Sequence, residues 1–469
     1  MSQAILLALE NNESLAVDRF NPQIRRTAEQ VARAAFDPDL TAAFSGRRTK
    51  TQELNSPVSI SKSGSAEVGL SEFLPTGTTV DASLGTDLTV GDPDLYTSRA
   101  GLTVTQSLLR GFGLGVNLAT LRQARLDVLT SQYELRGSAE LLVAQTEEKY
   151  WDYVLAQRQI AIVEQSLALA ESQLRDTQER IRVGKLAELE LAAAEAEVAS
   201  RREALINARS NLQVVQLQLL RLLNPPGRDL FNRPIVPRDL PAVPALDLGP
   251  VEDHVQVGQR MRADLNQARL EVNRGELEIV KTRNGLLPKM DVFITLGKTG
   301  YADSFGPSFN DITEGRSYDA LVGLNMEYPP LNRKAQAQHT RAVVSRDQSL
   351  KAVSNLAQLV EVDVRSAHVE VLRTNQQMAA TAVTRKLQEE KLRAETEKFN
   401  VGKSTTLLVA QAQRDLLQSQ INEVQSVANY LKSLVELYRL EGSLLERRAI
   451  AAPGNQPVVI SKNPRPGNE

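Results

Sequence analysis

The sequence holds no cysteine, which excludes disulfide frameworks, thiolate metal sites and cysteine nucleophiles. Aromatic residues make up only 4% of its 469 positions, although 42% are hydrophobic and the mean hydropathy is slightly negative. That profile is lean for a thick globular core and normal for long coiled helices with seams of Leu, Val and Ala. Neither sign of charge dominates: 55 Lys and Arg face 57 Asp and Glu, which disfavours nucleic acid as a partner. No apolar run reaches the ~18 to 20 residues of a membrane-spanning helix, so a helical membrane protein is excluded. His254, His339 and His368 lie in helical patterns with no carboxylate or second histidine at ligand spacing. Neither metal, cofactor nor catalysis is expected. The N-terminal segment lacks a secretory leader, so an exported protein would be a mature form with a start methionine added.

What is present is one plan used twice. A turn at Phe399, Asn400, Val401, Gly402 and Lys403 breaks a long helical pattern. After it, Leu417, Ile421, Val424, Ala428, Leu431, Val435 and Tyr438 form a heptad seam. Upstream, Val183, Gly184 and Lys185 make the same turn, followed by a seam at Leu205, Ala208, Leu212, Val215, Leu219 and Leu222. The first repeat covers residues 1–224: a helix to about 35 interrupted near Asn21 and Pro22, strands over about 40–109, a long helix, the turn at 183–185 and a return helix. The long helix, 116–183, would be a rod of about 100 Å. Residues 225–250 carry seven prolines and read as a linker. The second repeat covers 251–448, with strands over about 290–328, a long helix, the turn at 401–403 and a closing helix. Residues 449–469 read as a disordered tail.

Pro38 corresponds to Pro288 at an offset of 250, and Gly101 to Gly323 at an offset of 222. The first strand region therefore has 28 extra residues, enough for one hairpin around Pro75, Thr76 and Gly77. In the last strand Tyr318, Ala320, Val322, Leu324, Met326 and Tyr328 share one face, and Asp319, Gly323, Asn325 and Glu327 the other. An apolar strip of this length with tyrosines at both ends fits a lipid-facing barrel strand, as it fits the half-buried strand of a soluble sheet. About four strands per chain cannot close a membrane barrel, which needs at least ~8, but several chains can. Gly111, Gly113 and Gly115 follow a strand and precede a helix. Their spacing is wrong for dinucleotide binding, and they read as a flexible junction.

This order of elements, with Leu102 to Leu109 entering a helix, Leu287 and Pro288 opening a strand and the two Val-Gly turns, resembles the TolC-type outer-membrane efflux proteins. The resemblance implies a mixed α and β fold: a homotrimer whose transmembrane β-barrel of twelve strands, four from each copy, is continued by an α-helical coiled-coil barrel across the periplasm. It further implies a passive exit duct of a tripartite efflux or type I secretion system, opened by a periplasmic adaptor linked to an inner-membrane pump or ABC transporter. Val183, Gly184, Lys185, Val401, Gly402 and Lys403 would meet the adaptor, and Glu190 would belong to the gate. Leu408 and Gln411 stand where the family pattern has pore aspartates, and Ser404 where it has a gate arginine, so a charged constriction is not implied: Leu408 would form an apolar one, or Leu407, Leu408 and Gln411 are ordinary seam residues. Tyr318, Val322, Leu324 and Tyr328 would face lipid. The competing reading is a soluble coiled-coil scaffold with a small β head domain.

Overall fold

The protein is described here by a computed structural model covering residues 1–52, 59–227, 229–237 and 248–460. In chain order the elements begin with α1 (Ser2–Asn11), α2 (Glu13–Asp18) and α3 (Asn21–Arg33), followed by strands β1 (Asp39–Thr51), β2 (Ser59–Leu74), β3 (Thr78–Val90) and β4 (Leu95–Ser107). Helices α4 (Leu114–Asn117), α5 (Ala119–Arg182), α6 (Leu189–Leu223), α7 (Val251–Met261) and α8 (Ala263–Asn284) come next. Then come β5 (Lys289–Ala302), α9 (Phe305–Glu314), β6 (Tyr318–Glu327), α10 (Arg333–Asn400), α11 (Thr406–Leu440) and α12 (Leu444–Arg447).

The N-terminal helical stretch is interrupted just before Asn21 and Pro22, between α2 and α3, and Pro22 sits in the first turn of α3, where its missing N–H costs nothing. It is also broken at Asn12, whose side chain accepts the Leu15 N–H and caps α2. Similarly, Arg262 adopts an extended backbone and divides α7 from α8.

Contacts divide the chain into two compact units. The first takes residues 1–21, 131–267 and 353–458. It is helical, and its core is aliphatic: Ile5, Leu15, Leu142, Val143, Leu219, Val435, Leu444 and Leu445 form one cluster, and Val255, Val360, Val364, Val371, Leu434 and Leu437 another. Each such side chain stabilises by roughly 1.5–3 kcal/mol when fully buried. The described part of the proline-rich segment is irregular but packed, since Ile235 joins the first cluster and its carbonyl accepts the Tyr153 hydroxyl at 2.9 Å. Residues 238–247 lie outside the described ones. The tail, expected to be disordered from 449, is held in place as far as 458: the Tyr133 hydroxyl donates to the Gln456 carbonyl, and Val458 N–H donates to Asn266. Buried polar groups on the helices capture its backbone. Residues 461–469 lie outside the described ones.

The second unit takes residues 22–130, 268–352 and the chain from 459. Its centre is a sheet of six strands in sequence order, each antiparallel to the next. The expected count of about four is therefore corrected to six. The hairpin expected around Pro75, Thr76 and Gly77 is formed by β2 and β3, which that turn joins. Between β5 and β6 the chain forms α9.

Candidate functional site

The registers fix which residues share a face of the sheet. Leu40, Leu70, Ala82, Leu102, Leu296 and Ala320 are paired one to the next across all six strands. Since side chains alternate along a strand, Ala42, Val68, Leu84 and Ala100 lie on the same face, as do Val104, Ile294 and Val322, and Val292 and Leu324. One face is thus an apolar belt without a gap. Tyr318, Val322, Leu324 and Tyr328 all project exposed in a single copy, at 79, 70, 61 and 55%; Tyr328 lies one residue beyond β6.

The opposite face is mostly polar, with Phe73, Phe293 and Leu321 set among its serines, threonines and charged groups. Its middle row runs Thr41, Gly69, Ser83, Gly101, Gly297 and Asp319. Across it Ser71 donates to Asp81 at 2.5 Å, Thr103 bonds Thr295 at 3.0 Å, and Arg99 forms two bonds of 2.7 Å with Asp319. Helix α9 folds back onto the apolar face: Ser98 and Ser308, both buried, share a 2.7 Å hydrogen bond, and Phe305 meets Tyr96 edge-on. A side chain at Gly300 would lie 2.2 Å from the Ser308 carbonyl, so glycine alone lets the helix lie this close.

The glycines at 111 and 113 are not a loose junction. Both hold positive φ, +89° and +94°, and together with Asn117 they grip the Pro75 to Gly77 turn. Asn117 donates to the carbonyls of Pro75 and Gly111, Gly113 N–H to Thr76, and Ser107 N–H to Gly77.

In the first unit the two helix turns have the same construction. At the end of α5, Lys185 N–H bonds the Arg180 carbonyl at 2.8 Å and Gly184 N–H the Ile181 carbonyl at 2.9 Å. At the end of α10, Lys403 bonds Lys398 at 2.8 Å and Gly402 bonds Phe399 at 3.0 Å. This is the Schellman pair of bonds, which needs a left-handed residue after the helix; Gly184 and Gly402 supply it at φ +73° and +74°. Val183, Lys185, Val401 and Lys403 are exposed. The turns touch: Arg180 donates to the Asn400 side chain at 3.0 Å and lies 4.8 Å over the Phe399 ring.

Glu190 is half-buried in the first turn of α6, where a carboxylate complements the helix dipole. Thr405 caps α11. Leu408 (47% exposed) and Gln411 occupy the exposed side of that helix, while Val409 and Ala412 face inward, so within one copy neither is a seam residue. Ser404 donates to Glu395 at 2.9 Å, and Lys398 and this hydroxyl hold the Glu395 carboxyl below its usual range.

Several ion pairs escaped the sequence reading. Glu197, buried on α6, receives Arg201 from its own helix and Arg414 from α11 at 2.7 Å; the i,i+4 spacing of Glu197 and Arg201 was the available signal. Arg448 makes a bidentate pair with fully buried Glu147 at 2.5 and 2.6 Å. Buried Arg136 joins Glu140 and Glu446, and burial pushes the Glu140 carboxyl up to about 7 against the pull of Arg136. His254, which the sequence left alone, meets Glu441 at 2.5 Å and lies beside the His368 ring. Among the described residues no group of three or more ligating side chains could hold a metal ion.

The model of the outer membrane efflux protein family matches residues 4–225 and 258–443. The chain belongs to this family. Among curated relatives, outer membrane efflux protein BepC of Brucella suis biovar 1 (strain 1330) is 22% identical over 437 residues, covering 91% of this chain and 81% of its own. Of solved structures, a membrane protein from Pseudomonas aeruginosa has a TM-score of 0.72 at 19% identity, covering 94% of this chain and 93% of that one. The outer membrane protein VceC from Vibrio cholerae has a TM-score of 0.71 at 15% identity, covering 94% and 95%. As an outer membrane efflux protein the chain is a channel component of the outer membrane, not an enzyme.

Proposed function

We propose that three copies of this efflux protein join their sheets into a membrane barrel and their long helices into a tube reaching into the periplasm, forming a passive exit duct. The observation that carries this reading is the apolar belt running unbroken across a sheet whose edge strands, β1 and β6, have no further partner among the described residues. An open edge cannot face lipid, because its backbone N–H and C=O groups would have no bonding partner there. A second feature agrees: α10 exposes Leu359, Val362, Val369 and Leu372, an apolar stripe suited to the helix of another copy.

In this duct Tyr318, Val322, Leu324 and Tyr328 face lipid. The exposed turns at Val183, Gly184, Lys185 and at Val401, Gly402, Lys403 meet an adaptor protein, which links the duct to an inner-membrane pump or ABC transporter. Glu190, Leu408 and Gln411 line the constriction that the adaptor opens, with Leu408 giving it an apolar rim. Planar-bilayer recording tests the whole reading. Discrete conductance steps from purified detergent-solubilised protein are expected; a water-soluble monomer that conducts nothing would falsify it.

A further inference from the structure

Among the described residues four strands lie between α3 and α5, whereas two lie between α8 and α10. By sequence offset β1 corresponds to β5 and β4 to β6, which leaves the hairpin β2–β3 without a counterpart in the second half of the chain. A surplus hairpin can stand outside a barrel as an appendage or be built into its wall. We propose that this one is wall, so that three copies close an eighteen-stranded barrel, six strands from each. The proposal rests on the trimeric reading above and adds the strand number and the place of the hairpin.

Three observations carry it. First, β2 and β3 separate β1 from β4 completely. The pairing runs without interruption from Asp39 with Ser71 to Thr51 with Ser59, from Leu74 with Thr78 to Lys62 with Val90, and from Thr78 with Gln106 to Thr89 with Leu95. Moving the hairpin out of the sheet would break both outer ladders.

Second, the hairpin has the two-faced pattern of the rest of the wall, in register with it. Val68, Leu70, Ala82 and Leu84 continue the apolar belt, while Glu67, Ser71, Asp81 and Ser83 continue the polar face. An appendage in water has no need of an apolar face aligned with that of β1 and β4.

Third, the hairpin is fastened where the strands meet the helices. Asn117 bonds the Pro75 carbonyl at 3.0 Å, Gly113 N–H bonds Thr76 at 3.1 Å, and Ser107 N–H bonds Gly77 at 2.9 Å. A Cβ on Gly77, at φ +88°, would lie 2.3 Å from the Gly111 carbonyl, so the turn and the junction fit only as a glycine against bare backbone.

Closure follows from direction. β1 leaves α3 and β6 returns to α10, so the two edges run oppositely, and β6 of one copy can pair antiparallel with β1 of the next. Because barrel diameter grows roughly linearly with strand number, eighteen strands give a bore about 1.5 times that of twelve.

The absence of cysteine makes the test clean. Val68→Cys, Leu84→Cys and Ser83→Cys, with Leu296→Cys as reference, are each labelled with a polarity-sensitive fluorophore in the full-length protein and reconstituted into vesicles of acyl-chain-brominated phosphatidylcholine. The labels at Val68 and Leu84 are expected to be quenched by the brominated chains to the same fraction as that at Leu296, and the label at Ser83 only by aqueous iodide. Labels at Val68 and Leu84 that respond to iodide alone overturn the wall placement. Native mass spectrometry of the same samples counts the copies independently. A count of three with an unquenched hairpin overturns this inference and leaves the trimer standing, whereas any other count overturns the number eighteen through the trimer.

Discussion

Arg99 on β4 and Asp319 on β6 join hands across the strand between them, passing over Gly297 of β5 in two bonds of 2.7 Å. A Cβ at Gly297 would lie 2.5 Å from the guanidinium and 2.6 Å from the carboxylate. Gly297→Val should therefore separate the pair. Both groups are nearly half exposed in one copy, so a double-mutant cycle between Arg99→Ala and Asp319→Ala should give a coupling below about 1 kcal/mol. The functional effect should be larger. Arg99→Ala leaves the carboxylate unpaired on the polar face, and reversal potentials under a salt gradient should shift toward cation selectivity; Asp319→Ala should shift them the other way. Unchanged selectivity in both would place this face away from the ion path.

Glu140 sets a pH dependence in the helical unit. Its carboxyl, ordinarily near 4.5, is raised to about 7 by burial. A raised folded-state value means that this group's contribution to stability is complete below about pH 4.5 and is lost as the pH rises through about 7. The loss is of the order of 3 kcal/mol. Glu140→Gln should flatten the thermal stability profile across that window, followed by helical circular dichroism in detergent. A slope equal to that of the unmodified protein would exclude Glu140 as its source.

Arg448→Ala should leave Glu147 charged, buried and without its guanidinium. Losing one partner of a buried pair costs about 3–5 kcal/mol. Double replacement with apolar residues of similar volume should recover much of that loss, since it removes the stranded charge. Denaturant midpoints of the three variants check the order.

Gly184→Val and Gly402→Val meet no neighbouring atom but force a β-branched residue into the left-handed region. Roughly 1–3 kcal/mol of strain at each turn is expected, with native oligomer on mild gels and adaptor-dependent export reduced. Gly402→Asn should export nearly normally, because asparagine tolerates that conformation. Normal export by Gly402→Val would remove this turn from the adaptor site.

Arg180→Ala removes both the bond to Asn400 and the stacking on Phe399 that tie the two turns together. The cation–π part is worth about 0.5–1 kcal/mol. Loosened turns should raise the basal conductance measured without adaptor, and a conductance equal to the parent's would show that this tie does not hold the channel shut.

Short-range chemistry in this chain was legible and long-range chemistry was not. The paired Val-Gly turns could be read because a Schellman cap is local, and β6 because its alternation is strong. β2 was legible only as one arm of an added hairpin, because Ser59, Ser61, Ser63, Ser65 and Gly64 have low strand preference and its pairing with β1 and β3 supplies what propensity lacks. α9 was hidden by Gly306 and Pro307 at its start; what fixes it is a face of the sheet that sequence order does not reveal. Arg448 finds Glu147 over 301 positions and His254 finds Glu441 over 187. No spacing rule reaches that far.

The turn at Pro75 to Gly77 sends the chain up and down once more and returns it to the side it left. An added hairpin therefore changes the girth of the sheet without reversing any other strand, so α5 and α10 still follow strands that run the same way. Sheets of this kind can widen by two strands per copy at a time, at the cost of one glycine seat for the new bend.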